Sequence, residues 1–524
     1  MIPRVLRLVS CLALAAAASN AQAAPQDFPR PAALQPQVEF WKKIFGVYSS
    51  QQIVFHDDRY PNKILKVLDF RPLAAAGASN IEIERRMRTE EKRARAKLQN
   101  MLWRVHKGEA DLTAEELRLR QLFAEVPGRN RYVLAQGRIR SQRGLKEKTR
   151  NAVMISGRYM ARMEAVFRSY GLPTELTRIP FVESSFNVKA YSKVGAAGMW
   201  QFMPSSARIY MRLNEVVDDR RDPWLSTEAA ARHLRDDYAA LQDWGLAVTA
   251  YNHGRSGVAK AARIAGSRNI ADIVRRYSSR TFGFASRNFY AEFLAAMDVE
   301  RNYIQYFGPL RREPLQYFDE VSTQHYVNFP TLARLAGVST EHFHELNPAF
   351  HPHVASGRLR VPPQTRLRVP PGRAASFQSQ YASLGPQYLF SAQQHYYASH
   401  RVRRGETLGG IARRYGSSTA SIQAANGLRK NGRLRIGTTL KIPPRDARAV
   451  QTASAPAKAK PATSTAKSAS AQSQAKYRSH RVQSGQTLHG IARRYGTNVR
   501  SIQAANSMSD SRIKPGQVLK IPAS

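Results

Sequence analysis

Cysteine is almost absent from this chain. Its single copy, Cys11, lies in an N-terminal apolar segment, so the remainder can form no disulfide, no thiolate metal site and no cysteine nucleophile. Acidic residues are scarce as well: 38 Asp and Glu stand against 81 Lys and Arg, a formal net charge of +43. That surplus narrows the partners to anionic ones. It is spread from residue 85 to residue 512 instead of forming one stripe, so it does not by itself single out nucleic acid. Long apolar runs are missing too. The longest, residues 8–18, is too short to span a bilayer. With Arg4 and Arg7 before it and Ala21-Gln22-Ala23 after it, residues 1–23 read as a secretory signal, and the expected product is exported and begins near Ala24. Cys11 stands at the start of the apolar run and not at its end, which argues against lipid attachment there.

What is present divides the chain. Residues 24–36, rich in Ala, Pro and Gln, suggest a disordered leader, and 37–149 a charged helical region. There Met87, Ala94, Leu98, Met101, Leu102 and Val105 recur at helical steps, and Thr113 to Glu116 forms a capping box. Residues 150–305 are again mostly helical but richer in aromatic and small residues, with Asp222-Pro223 opening one helix. Residues 317–370 suggest a small module followed by a linker, 371–398. Its "EHFHE" places His342 and His344 two apart, on different sides of a helix, so no metal site is expected.

A duplication dominates the C-terminus. "HRVRRGETLGGIARRYGSSTASIQAAN" from His400 and "HRVQSGQTLHGIARRYGTNVRSIQAAN" from His480 agree at 19 of 27 positions. Each copy, 399–444 and 478–524, reads as strand, helix, helix, strand. Between them, 445–477 is nearly all Ala, Ser, Thr, Lys, Gln and Pro, a flexible linker. These copies resemble the LysM module, and 317–370 resembles a degenerate third copy without the Gly-x-Thr-Leu start. The resemblance implies binding of N-acetylglucosamine-containing polymers. The contacts would come from Gly405, Glu406, Thr407 and Leu408, their equivalents Gly485, Gln486, Thr487 and Leu488, and residues 436–438.

The chemistry centres on "RIPFVESSFN", where Glu183 follows the apolar run Ile179-Pro180-Phe181-Val182. Burying a lone charge is costly, so such a carboxyl is paired, neutralised or functional. Arg178 and Arg208 are the available partners. Without them the neutral form is favoured and the pKa rises, which suits a general acid. Downstream, "SKVGAAGMWQFMPSSA" begins at Ser192 and "AVTAYNHGRSG" contains Tyr251 and Asn252. Amides at Gln201 and Asn252, flat rings at Trp200, Phe202 and Tyr251, and glycines that admit a close ligand suit an amino sugar.

"ES" at 183–184, "GMWQ" at 198–201, "AYN" at 250–252 and "RNFYAEFLAA" at 287–296 resemble, in that order, the lysozyme-like lytic transglycosylases. The resemblance implies a mainly α, lysozyme-like (α+β, helix-rich) catalytic domain. It also implies cleavage between N-acetylmuramic acid and N-acetylglucosamine by Glu183, with closure of a 1,6-anhydro ring and no metal or organic cofactor. Ser192, Gln201, Tyr251, Asn252 and Tyr290 would contact substrate, Tyr290 as the tyrosine near the catalytic carboxyl. The expected partners are peptidoglycan strands and an anionic envelope surface, with no nucleic acid. The expected state is a monomer in the periplasm or envelope of a Gram-negative-type cell. Two other readings stay open: a muramidase using the same glutamate with water, and a wall-binding scaffold without catalysis.

Overall fold

The computed structural model describes residues 28–394, most of 397–443 and most of 477–522. The signal segment with Cys11, Gly485 and nearly all of the 445–477 linker lie outside the described residues. Among the described residues no helix is long and apolar enough to cross a membrane.

The largest core is helical and is closed by two segments far apart in sequence. Helix Gln35–Gly46 buries Val38, Trp41, Ile44 and Phe45, spaced for one face. That face packs on helix Phe284–Arg301, where the Trp41 Nε1 donates to Asn288 Oδ1 at 3.1 Å. Residues 28–34 join the same core, which corrects the expectation of a disordered leader for its described part. Phe28 sits 5.8 Å from Trp244 and 5.1 Å from Phe293, and Arg30 binds both oxygens of Asp298. A few anchors thus order a stretch whose composition reads as unstructured.

Residues 50–143 build a second core, and here the all-helical expectation is corrected. A three-stranded antiparallel sheet runs in the order Ile64–Asp69, Gln52–Asp57, Ile139–Arg143. Its central strand is buried at every position, so it lacks the alternation that marks a half-exposed strand. Helix Asn80–Lys107 covers the sheet with its predicted stripe, all buried. Ser79 caps its start and Gly108, at φ 71°, ends it. The Thr113–Glu116 capping box is formed in both directions. Asp58 pairs with Arg287 at 2.6 Å, tying this lobe to the catalytic helices.

The three small modules share one clamp. In each, an asparagine at the end of the second helix donates to that helix and to the closing strand, and accepts from the same strand. Asn347 does so with Phe343 and Arg368, Asn426 with Ile422 and Lys441, and Asn506 with Ile502 and Lys520. Each satisfies three backbone groups with one side chain. The module at 317–370 is moreover built onto the catalytic domain. Val216 and Val217 enter its core, Val217 bridges Phe350, and Arg368 forms a buried two-oxygen pair with Asp222. The following segment is not a free linker: helix Ala374–Ala382 buries Phe377 fully and Phe390 bridges Tyr326. The expected linker 371–398 is corrected accordingly over its described residues, since one apolar ring is enough to seat the helix.

Asp222 both caps helix Pro223–Leu241 and faces Arg368. Arg368→Leu therefore leaves a buried carboxylate and should cost about 3–5 kcal/mol in urea unfolding. Adding Asp222→Asn, which keeps the cap, should restore most of the loss.

Candidate active site

Helix Ile179–Glu183 has Pro180 in its first turn and ends at once, because Ser185 and Phe186 take left-handed backbone at φ 53° and 57°. Such conformations cost about 1–3 kcal/mol each in non-glycine residues and persist where packing enforces them. Here Phe186 is buried against Phe181 at 4.7 Å. The reversal leaves Glu183 at the helix end, partly accessible and enclosed by protein. No hydrogen bond or ion pair among the described residues reaches its carboxyl. Arg178, a candidate partner, is taken by Glu164 and Glu300, and Arg208 contacts only the Pro204 carbonyl. Burial pushes the Glu183 pKa up to about 8. It therefore holds a proton at neutral pH, as an acid aimed at a glycosidic oxygen must.

A second carboxyl shares this environment, and the sequence reading missed it. Glu292, on helix Phe284–Arg301 packed against the Glu183 helix, is also unpaired among the described residues and only partly accessible. Burial, and then the charge of Glu183, push it up to about 8. The signal was the one used for Glu183: a lone carboxylate in an apolar run, here "FYAEFLAA".

Helix geometry explains a correction on the same element. Positions 289 and 292 lie on one face, three residues apart, and Phe289 stacks on Tyr251 at 6.5 Å and 13°. Tyr290 is rotated away by one residue. It is 2% exposed, its hydroxyl donates to the Pro29 carbonyl, and its neighbours are Asp243 and Arg30. Tyr290 is thus a core residue holding the N-terminal segment, not a substrate contact. Tyr251 is the tyrosine whose environment includes Glu183.

The loop from Ser192 to Phe202 faces Glu183 through backbone. The hydroxyl of Ser184 donates to Met199 O, and that of Tyr251 to Trp200 O, both at 2.8 Å. Trp200 itself is core, fully buried, stacked on Phe167 and bonded to Thr227. Ser192 closes the loop by accepting from Ala196 N. Gln201, at φ 50°, spends its amide N–H on Gly198 O at 2.7 Å, which leaves its carbonyl oxygen for a ligand. A side chain at Gly198 would meet Arg220 O at 1.7 Å, so only glycine fits. Asn252 is exposed and accepts from Ser286, which also contacts His253.

In the first repeat Gly405 turns at φ 82° and Thr407 caps helix Leu408–Arg414. The Glu406 carboxylate turns inward to His400 at 2.7 Å and to Arg414. In the second, Gln486 meets His480 at 2.9 Å, Leu488 is buried in the core and Thr487 is exposed.

Comparison with known families follows this layout. Residues 163–274 match the Transglycosylase SLT domain, 400–443 and 480–522 the LysM domain, and 317–385 the family described as Lytic transglycosylase MltD, LysM-like domain. The chain carries a lytic transglycosylase domain with LysM modules. It is similar to the membrane-bound lytic murein transglycosylase D of Escherichia coli (strain K12), 27% identical over 69% of this chain and 76% of that one. A putative tributyltin chloride resistance protein of Alteromonas sp. (strain M-1) is 36% identical over 17% of this chain and 44% of its own. Among solved structures, an inactive mutant of lytic transglycosylase Slt from Pseudomonas aeruginosa aligns with a TM-score of 0.23 at 19% identity. That match covers 30% of this chain and 26% of that one.

Both carboxyls bind protons more tightly folded than unfolded. Their stabilising effect is complete below about pH 4.5 and declines as pH rises through about 8. Glu183→Gln and Glu292→Gln should each melt above wild type at pH 9 and level with it at pH 4, measured by calorimetry.

Proposed function

We propose that Glu183 is the acid and then the base of a non-hydrolytic cleavage of peptidoglycan strands. As acid it protonates the oxygen between N-acetylmuramic acid and N-acetylglucosamine. As base it takes the proton from the muramoyl C6 hydroxyl, which closes the 1,6-anhydro ring. The attacking hydroxyl belongs to the same sugar, so its effective concentration is that of a held nucleophile. The observation that carries this reading is the Glu183 carboxyl itself: enclosed, unpaired, and proton-bearing at neutral pH beside the Met199–Gln201 turn. The Gln201 carbonyl, Ser192, Tyr251 and Asn252 line the sugar path. The protein acts in the envelope after export, and its LysM modules hold it on polymeric substrate by multivalency.

Glu292 favours one second reading, a muramidase in which water attacks, because hydrolysing glycosidases pair the acid with another carboxylate. Two carboxyls both raised to about 8 leave little free base near neutral pH, which supports the ring-closing route.

Mass spectrometry of the muropeptides released from purified peptidoglycan separates the readings. Wild type should give anhydro ends, and Glu183→Gln should lose about a thousandfold in rate. Reducing ends from wild type would establish the muramidase instead. The wild-type rate should also fall above about pH 8, as Glu183 loses its proton.

A further inference from the structure

A cavity of about 920 Å³ has a lining that does not include Glu183. It lies where the catalytic domain meets the LysM-like module, with Tyr415 and Pro443 of the first LysM repeat at one side. Its charged lining is unbalanced. Lys189, Arg208, Arg220, Arg221 and Arg358 face Glu215 and Asp218. Asp218 is already spent on Arg220, which holds it with two nitrogens. His351 and His353 also line the space, but each gives a ring nitrogen to a backbone carbonyl, and burial lowers both pKa values, His351 to about 4. They carry no charge at neutral pH.

Arg221 stands out in this wall. It is half-buried; among the described residues no hydrogen bond or ion pair reaches its guanidinium, and the one charge that attracts it, Asp218, is already bound to Arg220. A cation withdrawn from water without a partner is costly, and an arriving carboxylate relieves that cost with a two-point fit. Lys189 and Arg208 beside it are exposed and, among the described residues, pair with no acid. Tyr191, 68% exposed, offers a flat apolar face at the same wall.

The pocket is continuous with the catalytic loop. Lys189 and Tyr191 lie between Glu183 and Gln201, and Gly198 rests directly on Arg220 O. The segment that joins Glu183 to Gln201 therefore also supplies part of this cationic wall. We infer that Lys189, Arg208 and Arg221 form a subsite for the carboxylates of the peptide branches on the glycan strand. The inference rests on the peptidoglycan reading above and adds a substrate preference to it: peptide-bearing strands over bare ones.

The test compares the full-length protein on two substrates, peptide-bearing strands and the same strands stripped of peptides by an amidase. The readout is KM and kcat for release of anhydro ends. Wild type should have the lower KM on peptide-bearing strands. Arg221→Gln should raise that KM about tenfold, the effect of one charge-assisted hydrogen bond, with kcat and the stripped-strand KM unchanged. Lys189→Glu, at an exposed site with no folding role, should do the same. Arg221→Lys should recover part of the loss. Equal effects on both substrates, or no effect from either variant, overturn the subsite while leaving the transglycosylase reading intact. Absence of anhydro ends from wild type on both substrates overturns the reading and the subsite together.

Discussion

Arg220 donates to the carbonyls of Gly195 and Phe202 at 2.7 and 3.0 Å, while Asp218 grips its other nitrogens. The loop beside Glu183 has no helix and only isolated bridges to shape it, and this guanidinium ties its two ends together. The carbonyls of Met199 and Trp200 are then placed to receive Ser184 and Tyr251. Asp218 is in turn fixed from the other side, where its own N–H donates to Ala349 O in the LysM-like module. Hydrogen bonds therefore run from the LysM-like module, through a buried ion pair, into the loop beside Glu183. Buried ion pairs of this kind add little net stability but are costly to break. Their effect here is to make one geometry of the loop the affordable one.

The unusual setting of Glu183 was legible from the sequence because it is a local property, a carboxylate closing an apolar run. Helix stripes, caps and the duplicated modules were legible for the same reason. What escaped is what depends on partners distant in sequence. Phe28 and Arg30 look unremarkable among Ala, Pro and Gln until Trp244, Phe293 and Asp298 are brought to them. The strand Gln52–Asp57 is buried on both faces, which erases its period. Tyr290 was misplaced because motif resemblance assigns a residue type to a neighbourhood, and a single step along a helix turns the side chain by about 100°. Glu292, two residues further, carried the right signal but sat in a segment already read for its tyrosine.

The LysM repeats show how near-identical sequences can differ in kind. His400 faces a carboxylate in one copy and His480 a neutral amide in the other, at distances within 0.2 Å of each other. The Glu406 carboxylate is held below its ordinary pKa by the Arg403 N–H and by His400. The shape is kept and the charge is not: the first copy holds the Glu406–Arg414 ion pair at this position, where the second has the neutral amide of Gln486.

The core of the catalytic domain is closed by its two sequence extremes. Residues 28–46 pack on helix Phe284–Arg301, and the Arg30–Asp298 pair spans 268 positions. Synthesis runs from the N-terminus, so the first segment to be made waits for nearly the last before it can bury Trp41 or Phe28. Contacts this distant are slow to form. Until residue 301 is present these contacts have no partner, so the domain closes like a clasp whose two halves lie far apart along the chain.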